Sequence, residues 1–188
     1  MGILRYFATA SLDGYVADSS GGFSWAAPDE EMHAFVNDLV RPAGTWLLGR
    51  RMYETLLYWE TSDTSERTPA VERDFAGIWR GCDKIVYSST LTATSSRRTT
   101  IEPRFDAGRV RDLVASADTE LTVGGPTVAA EALRAGLVDV LELLAVPWVI
   151  GSGLSWLPSD VRLPLELIEE RRFSGGAVYL RYEPRRSR

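Results

Sequence analysis

The stretch Leu121-Thr122-Val123-Gly124-Gly125-Pro126-Thr127-Val128-Ala129-Ala130-Glu131-Ala132-Leu133 constrains the fold more than any other part of the chain. It reads as a buried strand, a paired-glycine turn and a helix. Two glycines at such a handover let backbone N–H groups come close to a ligand, and the helix N-terminus behind them favours an anion. Pro126 suits the first helical position, where its φ is preset and the N–H it lacks has no helical partner anyway. The segment therefore predicts a βα unit whose turn has the outline of a phosphate site. An ordinary strand-to-helix turn that binds nothing fits the same residues, so the rest of the chain has to decide.

Periodicity along the chain alternates short apolar strands with amphipathic helices, which predicts an α/β layered domain rather than a bundle or a sandwich. Residues 3–10 form the first expected strand. Asp13-Gly14 follows as a turn, residues 15–17 resume an extended run, and Ser20-Gly21-Gly22 opens a loop towards Trp25. A helix starts near Pro28 with Met32, Phe35, Val36, Leu39 and Val40 on one face, and Pro42 and Gly44 end it. Further strands are expected at 45–49, 84–89, 99–102 and 138–146, with helices opening at Arg50 and covering 71–79 and 105–117. Residues 165–173 and 177–182 form a final hairpin about Ser174-Gly175-Gly176. Gly151-Ser152-Gly153 reads as a loop. No composition break or repeat divides the chain, so one domain is expected over 1–184, followed by a basic tail at 185–188.

Composition removes several function classes. The chain has 188 residues, 45% hydrophobic and 25% charged, as a soluble globular domain does. No apolar run is long enough to cross a bilayer, and the first residues lack the features of a signal peptide, so a cytoplasmic setting is expected. A net charge of −5 argues against general nucleic-acid binding. One cysteine, Cys82, and one histidine, His33, cannot build a Cys/His zinc site or a zinc deaminase centre. A Ser-His-Asp triad would need His33, which stands among Asp29, Glu30 and Glu31 and reads as a surface residue. Cys82 reads as a small, partly buried residue beside a strand.

Three strand-to-helix junctions share one design: Leu48-Gly49-Arg50-Arg51, Tyr87-Ser88-Ser89-Thr90 and Val123-Gly124-Gly125-Pro126-Thr127. Ligands of open α/β sheets collect at the carboxyl ends of parallel strands, so these loops describe a dinucleotide-sized surface if their strands run the same way. Gly49 suits one phosphate and the glycine pair another. Arg50 and Arg51 suit a ribose 2′-phosphate, with Ser88 and Ser89 supplying hydroxyls. No G-x-G-x-x-G follows the first strand and no P-loop occurs, so neither common nucleotide fingerprint is present.

The order of these segments resembles the dihydrofolate reductase superfamily, in particular the branch containing the reductase domain of bacterial riboflavin biosynthesis and its stand-alone relatives. The resemblance is carried by residues 10–17 (ASLDGYVA), 47–54 (LLGRRMYE), 84–91 (KIVYSSTL), 121–133 and the run from Leu137 through Pro147 to Gly153, and so spans almost the whole chain. It implies a three-layer α/β/α fold with a mixed, mostly parallel central sheet, NADPH as cofactor, and a homodimer. By that similarity Gly49, Arg50 and Arg51 meet the cofactor phosphates, and Ser88 and Ser89 its adenosine side. Gly124, Gly125, Thr127 and Val128 meet the pyrophosphate and nicotinamide side, while Ala8 and the Asp13-Gly14 turn line the nicotinamide pocket.

The departures narrow the function. The chain has neither the length nor the ligands for a zinc deaminase domain, so deamination is excluded. A dihydrofolate reductase places a carboxylate at the start of its first helix; Glu30 falls at about that position with Asp29 beside it, and both are candidates for proton relay. The same acids also suit a helix's first turn with no catalytic role. Trp25, Phe35 and Tyr53 are suited to pack around a flat heterocycle, and equally to a core. A phosphorylated substrate needs a second anion site, for which Arg162 and Arg171 are available. The expected activity is NADPH-dependent hydride transfer to a small pyrimidine or pterin-type heterocycle, as in 5-amino-6-(5-phosphoribosylamino)uracil reduction. Dihydrofolate reduction is the alternative enzyme, and a non-catalytic dimeric sensor that binds a nucleotide is the alternative class.

Overall fold

The computed structural model of the protein describes residues 2–185. Its chain order is β1 (Leu4–Ser11), β2 (Tyr15–Asp18), a 3₁₀ turn (Ser24–Ala26), α1 (Glu30–Val40), β3 (Ala43–Gly49), α2 (Arg50–Leu56), α3 (Tyr58–Thr61) and α4 (Ala70–Gly81). There follow β4 (Asp83–Tyr87), β5 (Thr99–Glu102), α5 (Ala107–Ser116), β6 (Glu120–Gly124), α6 (Pro126–Arg134), β7 (Val140–Val146), β8 (Gly153–Ser155), β9 (Leu165–Arg172) and β10 (Val178–Pro184). Eight strands form one sheet in the order β5-β4-β3-β6-β1-β7-β10-β9. The first six are parallel, and β10 runs against both β7 and β9. The sheet is thus mixed and mostly parallel, as expected.

Alternation along the strands builds the layers, because successive side chains point to opposite faces. On one face Leu4, Tyr6, Leu47, Leu121, Val123 and Leu141 pack with Val110 of α5 and Val128, Ala129, Ala132 and Leu133 of α6. On the other, Trp46, Leu48 and Val86 pack with Val40 of α1, Tyr53 of α2 and Phe75 and Trp79 of α4. Met32 of α1 closes a third cluster over Leu144, Val146, Phe173 and Tyr179. Helices therefore cover both faces, giving the three layers.

The buried sheet also holds charge. The Arg5 guanidinium grips both oxygens of Glu142, with Nε 3.0 Å from Oε2, and reaches Glu120 Oε2 at 2.6 Å. Tyr179 donates its hydroxyl to Glu142 Oε1 at 2.6 Å. Burial and the Glu142 carboxylate together push the Tyr179 hydroxyl far above the ordinary tyrosine range. Lys84, also buried, donates to the Trp79 and Cys82 carbonyls at 2.7 and 2.9 Å and so satisfies the end of α4. Cys82 is buried beside β4, and that burial pushes its thiol up to about 11.

Three expectations need correction. His33 is half-buried rather than a surface residue, with its ring 5.8 Å from both Trp59 and Phe75; its aromatic neighbours come from α3 and α4, which sequence spacing does not reveal. Gly153 opens β8, which pairs antiparallel with β2, and a β-carbon there would overlap the Ala17 carbonyl oxygen. Arg185 donates its backbone N–H to Pro164 at 2.8 Å, so it continues the hairpin rather than starting a tail. Arg186, Ser187 and Arg188 lie outside the described residues.

Candidate functional site

The three junctions lie side by side. β4, β3 and β6 are neighbours and run parallel, with Gly49 opposite Tyr87 and Leu48 opposite Gly124. β1 stands next to β6 with Tyr6 opposite Val123, and Ala8 lies in the part of β1 that runs on beyond that pairing. The loops after β4, β3, β6 and β1 therefore share the carboxyl edge of the sheet, where open α/β sheets bind ligands.

The glycine pair has a steric cause. A β-carbon on Gly124 would stand 2.7 Å from Leu48 Cδ2 and 3.3 Å from Met52 Cγ, so α2 and β3 pack where a side chain would be. Gly125 sits at φ +90°, a backbone that glycine adopts without strain. It leads into Pro126 at the start of α6, and the first helical bond runs from the Ala129 amide to the Gly125 carbonyl at 3.1 Å. No side chain caps this end, which leaves the Thr127 and Val128 amides for an anion at the edge.

Arg50 bridges two junctions. Its Nε lies 2.7 Å from Glu54 Oε1, and its Nη1 donates to the Thr90 hydroxyl at 2.8 Å, tying the start of α2 to the loop after β4. Ser88 uses its hydroxyl oxygen to accept the Thr90 and Leu91 amides, so it shapes that loop. Arg51 and Ser89 are exposed beside them. Thr90 was visible in the sequence only as the end of a serine-rich turn; its partnership with Arg50, forty residues away in the chain, depends on the β3–β4 register.

On the β1 side, the Asp13 carboxylate accepts the Ile150 and Gly151 amides, the latter at 2.8 Å, and locks the β1–β2 turn to the loop after β7. The Ser11 hydroxyl and those amides hold Asp13 below the usual carboxylate range. Gly14 accepts the Trp156 amide at 3.1 Å, and Tyr6 donates its hydroxyl to the Trp156 carbonyl at 2.6 Å.

The acids at the start of α1 have separate jobs. Asp29 is the N-cap and accepts the Met32 amide at 2.8 Å. Glu31 accepts from Arg171 at 3.1 Å and from the Ser174 hydroxyl at 2.8 Å, docking α1 on the β9–β10 turn. Glu30 is exposed at the same end. Arg171 is thus committed within the chain and also lies over the Phe35 and Phe173 rings, at 5.0 and 4.7 Å. Arg162 is exposed on the loop before β9.

The expected aromatics divide. Trp25 is half-buried beside the α1 cluster, and its Nε1 is buried without a hydrogen-bond partner among the described residues. Phe35 packs edge-on against Phe173 and Tyr179 at 5.1 and 4.8 Å, beneath α1. Tyr53 is 2% exposed beneath α2, with its hydroxyl 3.0 Å from the Ser95 amide. A cleft of ≈ 530 Å³ lined by Arg41, Gly44, Asp74, Gly77 and Cys82 lies at the opposite edge, where strands begin, away from these junctions.

The profile of the RibD C-terminal domain family matches residues 3–179. The chain belongs to that family. RibD-type folds match it throughout: a protein from Shewanella sp. PV-4 named for riboflavin biosynthesis superposes with a TM-score of 0.75 at 19% identity, over 98% of this chain and 99% of that one. A pyrimidine reductase-like protein of Corynebacterium diphtheriae gives 0.68 at 16% identity, over 99% and 93%. A diaminohydroxyphosphoribosylaminopyrimidine deaminase/5-amino-6-(5-phosphoribosylamino)uracil reductase of Thermotoga maritima gives 0.64 at 20%, over 97% of this chain and 56% of that one. No curated protein sequence matches. The fold is the dihydrofolate reductase-like one shared by RibD reductase domains.

Proposed function

We propose that this RibD-family chain is an NADPH-dependent reductase that delivers hydride to a C=N or C=O carbon of a flat pyrimidine or pterin-type heterocycle, with a proton going to the partner atom. The observation that carries the reading is the alignment of the β4, β3 and β6 junctions on one edge, with the uncapped α6 amides at one end, Arg50 and Arg51 in the middle, and Ser88 and Ser89 at the other end. The spread of donors suits a dinucleotide whose pyrophosphate meets the α6 amides and whose further phosphate meets Arg50 and Arg51.

A reduced nicotinamide supplies the hydride when bound. The chain's own residues then have distinct tasks. Gly124, Gly125, Thr127 and Val128 present backbone to the pyrophosphate; Gly49, Arg50 and Arg51 hold the remaining phosphates, with Ser88 and Ser89 beside the adenosine. Ala8, in the part of β1 beyond its pairing with β6, and the Asp13-Gly14 turn border the nicotinamide. Glu30, exposed at the start of α1, is the proton relay, while Asp29 positions it by capping the helix. Of the expected substrate aromatics, Trp25 and Phe35 pack with Met32 in the cluster beneath α1, the helix that Glu30 opens, and Tyr53 supports α2 from the core. The 5-amino-6-(5-phosphoribosylamino)uracil type is the leading substrate and dihydrofolate the second, the latter resting on Glu30. A cytoplasmic setting belongs to the same reading, since a single buried cysteine fits a reducing compartment. No helix among the described residues is long and apolar enough to cross a membrane.

Titration with NADPH and NADH in parallel, followed by quenching of tryptophan fluorescence, tests this. Saturable binding that prefers NADPH and loses the preference in Arg50→Ala/Arg51→Ala supports the cofactor assignment. Binding of neither removes the reductase reading. Binding without turnover of either heterocycle leaves a nucleotide-binding sensor in its place.

A further inference from the structure

We propose that the Tyr53 hydroxyl is a positioning group for the adenosine half of the cofactor: it pins the β4–β5 connection to α2, so that Ser88, Ser89 and Thr90 stay beside Arg50 when a nucleotide takes that arginine. The proposal rests on the cofactor reading given above. β4 and β5 are neighbouring parallel strands, so residues 88–98 must return from the carboxyl edge to the far end of the sheet, and they do so without a helix or strand of their own. The segment is held by the side chains it crosses. At its start, Ser88 Oγ accepts the Thr90 and Leu91 amides and Arg50 reaches the Thr90 hydroxyl. In its middle, the Tyr53 hydroxyl accepts the Ser95 amide at 3.0 Å and lies 3.0 Å from Ser96 Oγ. At its end, Glu60 of α3 accepts the Arg97 amide at 3.2 Å.

A bound cofactor acts differently on these anchors. Arg50 and Tyr53 stand one turn apart on α2, the first exposed and the second buried. A phosphate arriving at Arg50 competes with the Thr90 hydroxyl for the guanidinium, and a charged acceptor wins over a neutral one. The loop thus loses its first tether at the moment the nucleotide needs it in place. Tyr53 has no such competitor: its ring packs with Trp46, Leu48 and Trp79 beneath α2, and a hydrogen bond made from that interior is less weakened by water than an exposed one. Ser96 carries the tether onward, since its Oγ lies 2.7 Å from Thr99 Oγ1 at the start of β5. The ring fills the core and the hydroxyl holds the loop, so the two roles separate in Tyr53→Phe.

Calorimetric titration with three ligands tests this: NADPH, 2′,5′-ADP, which is its adenosine half with the 2′-phosphate, and reduced nicotinamide mononucleotide, which lacks that half. Tyr53→Phe should raise the dissociation constants of NADPH and 2′,5′-ADP about three- to tenfold and leave that of the mononucleotide unchanged. Without any nucleotide, brief trypsin digestion should cut after Arg97 or Arg98, both exposed, faster in Tyr53→Phe than in the unaltered protein. Equal losses for all three ligands would mean a structural role only and overturn the proposal, as would an unchanged rate of cleavage at these arginines. If Tyr53→Phe does not fold, Ser96→Ala, which removes one partner of the hydroxyl from outside the core, decides by the same readouts. An unaltered protein that binds none of the three ligands removes the cofactor reading and this proposal with it. An unaltered protein that binds NADPH and 2′,5′-ADP no better than the variant does removes this proposal alone.

Discussion

Leu48 stands opposite Gly124 across the β3–β6 ladder, and its side chain occupies the volume that any larger residue at 124 would need. The packing of α2 over the sheet and the shape of the α6 turn are therefore one feature. Gly124→Ala places a methyl group 2.7 Å from Leu48 Cδ2 in a filled core, and overpacking of this kind costs about 1–3 kcal/mol. Urea unfolding should show that loss, and NADPH affinity should fall with it because the turn must shift to admit the methyl group.

The Arg5–Glu142 pair makes a sharper prediction. Glu142 is 1% exposed and draws on Arg5 and Tyr179 for its hydrogen bonds. Arg5→Ala leaves that carboxylate buried without its cation, which costs about 3–5 kcal/mol. Replacing both residues, as Arg5→Met/Glu142→Leu, should cost far less, because no charge is then left unpaired. Equilibrium unfolding of the two variants measures the difference; equal losses would mean that the pair acts through shape alone.

His33 gives the fold a dependence on pH. Burial against Trp59 and Phe75 lowers its pKa below the ordinary histidine value, with Glu72 and Asp74 opposing the shift. The unfolded chain then binds a proton at a higher pH than the folded one does. Stability from this group is fully present above the unfolded value of about 6.5 and is lost as pH falls through it towards the folded value. The melting temperature should decline from pH 7 to pH 5 more steeply in the unaltered protein than in His33→Gln. The imidazole resonances should titrate below 6.5.

The parts of the fold that depend on local pattern were legible in the sequence, and those that depend on distant partners were not. The strand-glycine-helix unit at 121–133 was readable because apolar alternation, two glycines and a proline all point the same way within a few residues. The common edge of the three junctions followed from their shared design, conditional on parallel strands. β8 escaped notice because it is three residues long and exists only through its pairing with β2. α3 is a single turn with no cap of its own. Arg171 read as a free cation, whereas Glu31, 140 residues earlier, claims it. Asp13 read as a turn residue, and its bonds to Ile150 and Gly151 depend on the β1–β7 register. Of the three acids at the start of α1 the sequence marked Glu30 and Asp29 as relay candidates and equally as first-turn acids, and only the folded structure separates a cap, an exposed acid and a docking contact.

That separation makes Glu30 testable apart from its neighbours. If Glu30 relays the proton, Glu30→Gln should lower kcat by about 10²–10⁴-fold while leaving the NADPH dissociation constant unchanged. Asp29→Ala should instead lower stability by about 1 kcal/mol through the lost cap. Steady-state kinetics beside thermal unfolding distinguishes the two. A Glu30→Gln variant with normal kcat would return Glu30 to the role of a first-turn acid.

Glu54 supplies the last test, because it competes for the residue that the cofactor reading needs. Arg50 is held between Glu54 and Thr90, and both its side chain and that of Glu54 are about half exposed. An exposed ion pair of this kind contributes about 0.2–1 kcal/mol. A ribose 2′-phosphate arriving at Arg50 must share the guanidinium with that carboxylate or displace it. Glu54→Gln removes the competing charge and leaves Arg50 bonded to Thr90, so NADPH should bind about two- to fivefold more tightly and NADH, which lacks the phosphate, should not change. Fluorescence titration of both nucleotides reads the ratio directly. Equal gains for the two would place Glu54 near some other part of the dinucleotide, and a loss for NADPH would show that the Glu54 bridge holds Arg50 in its binding posture.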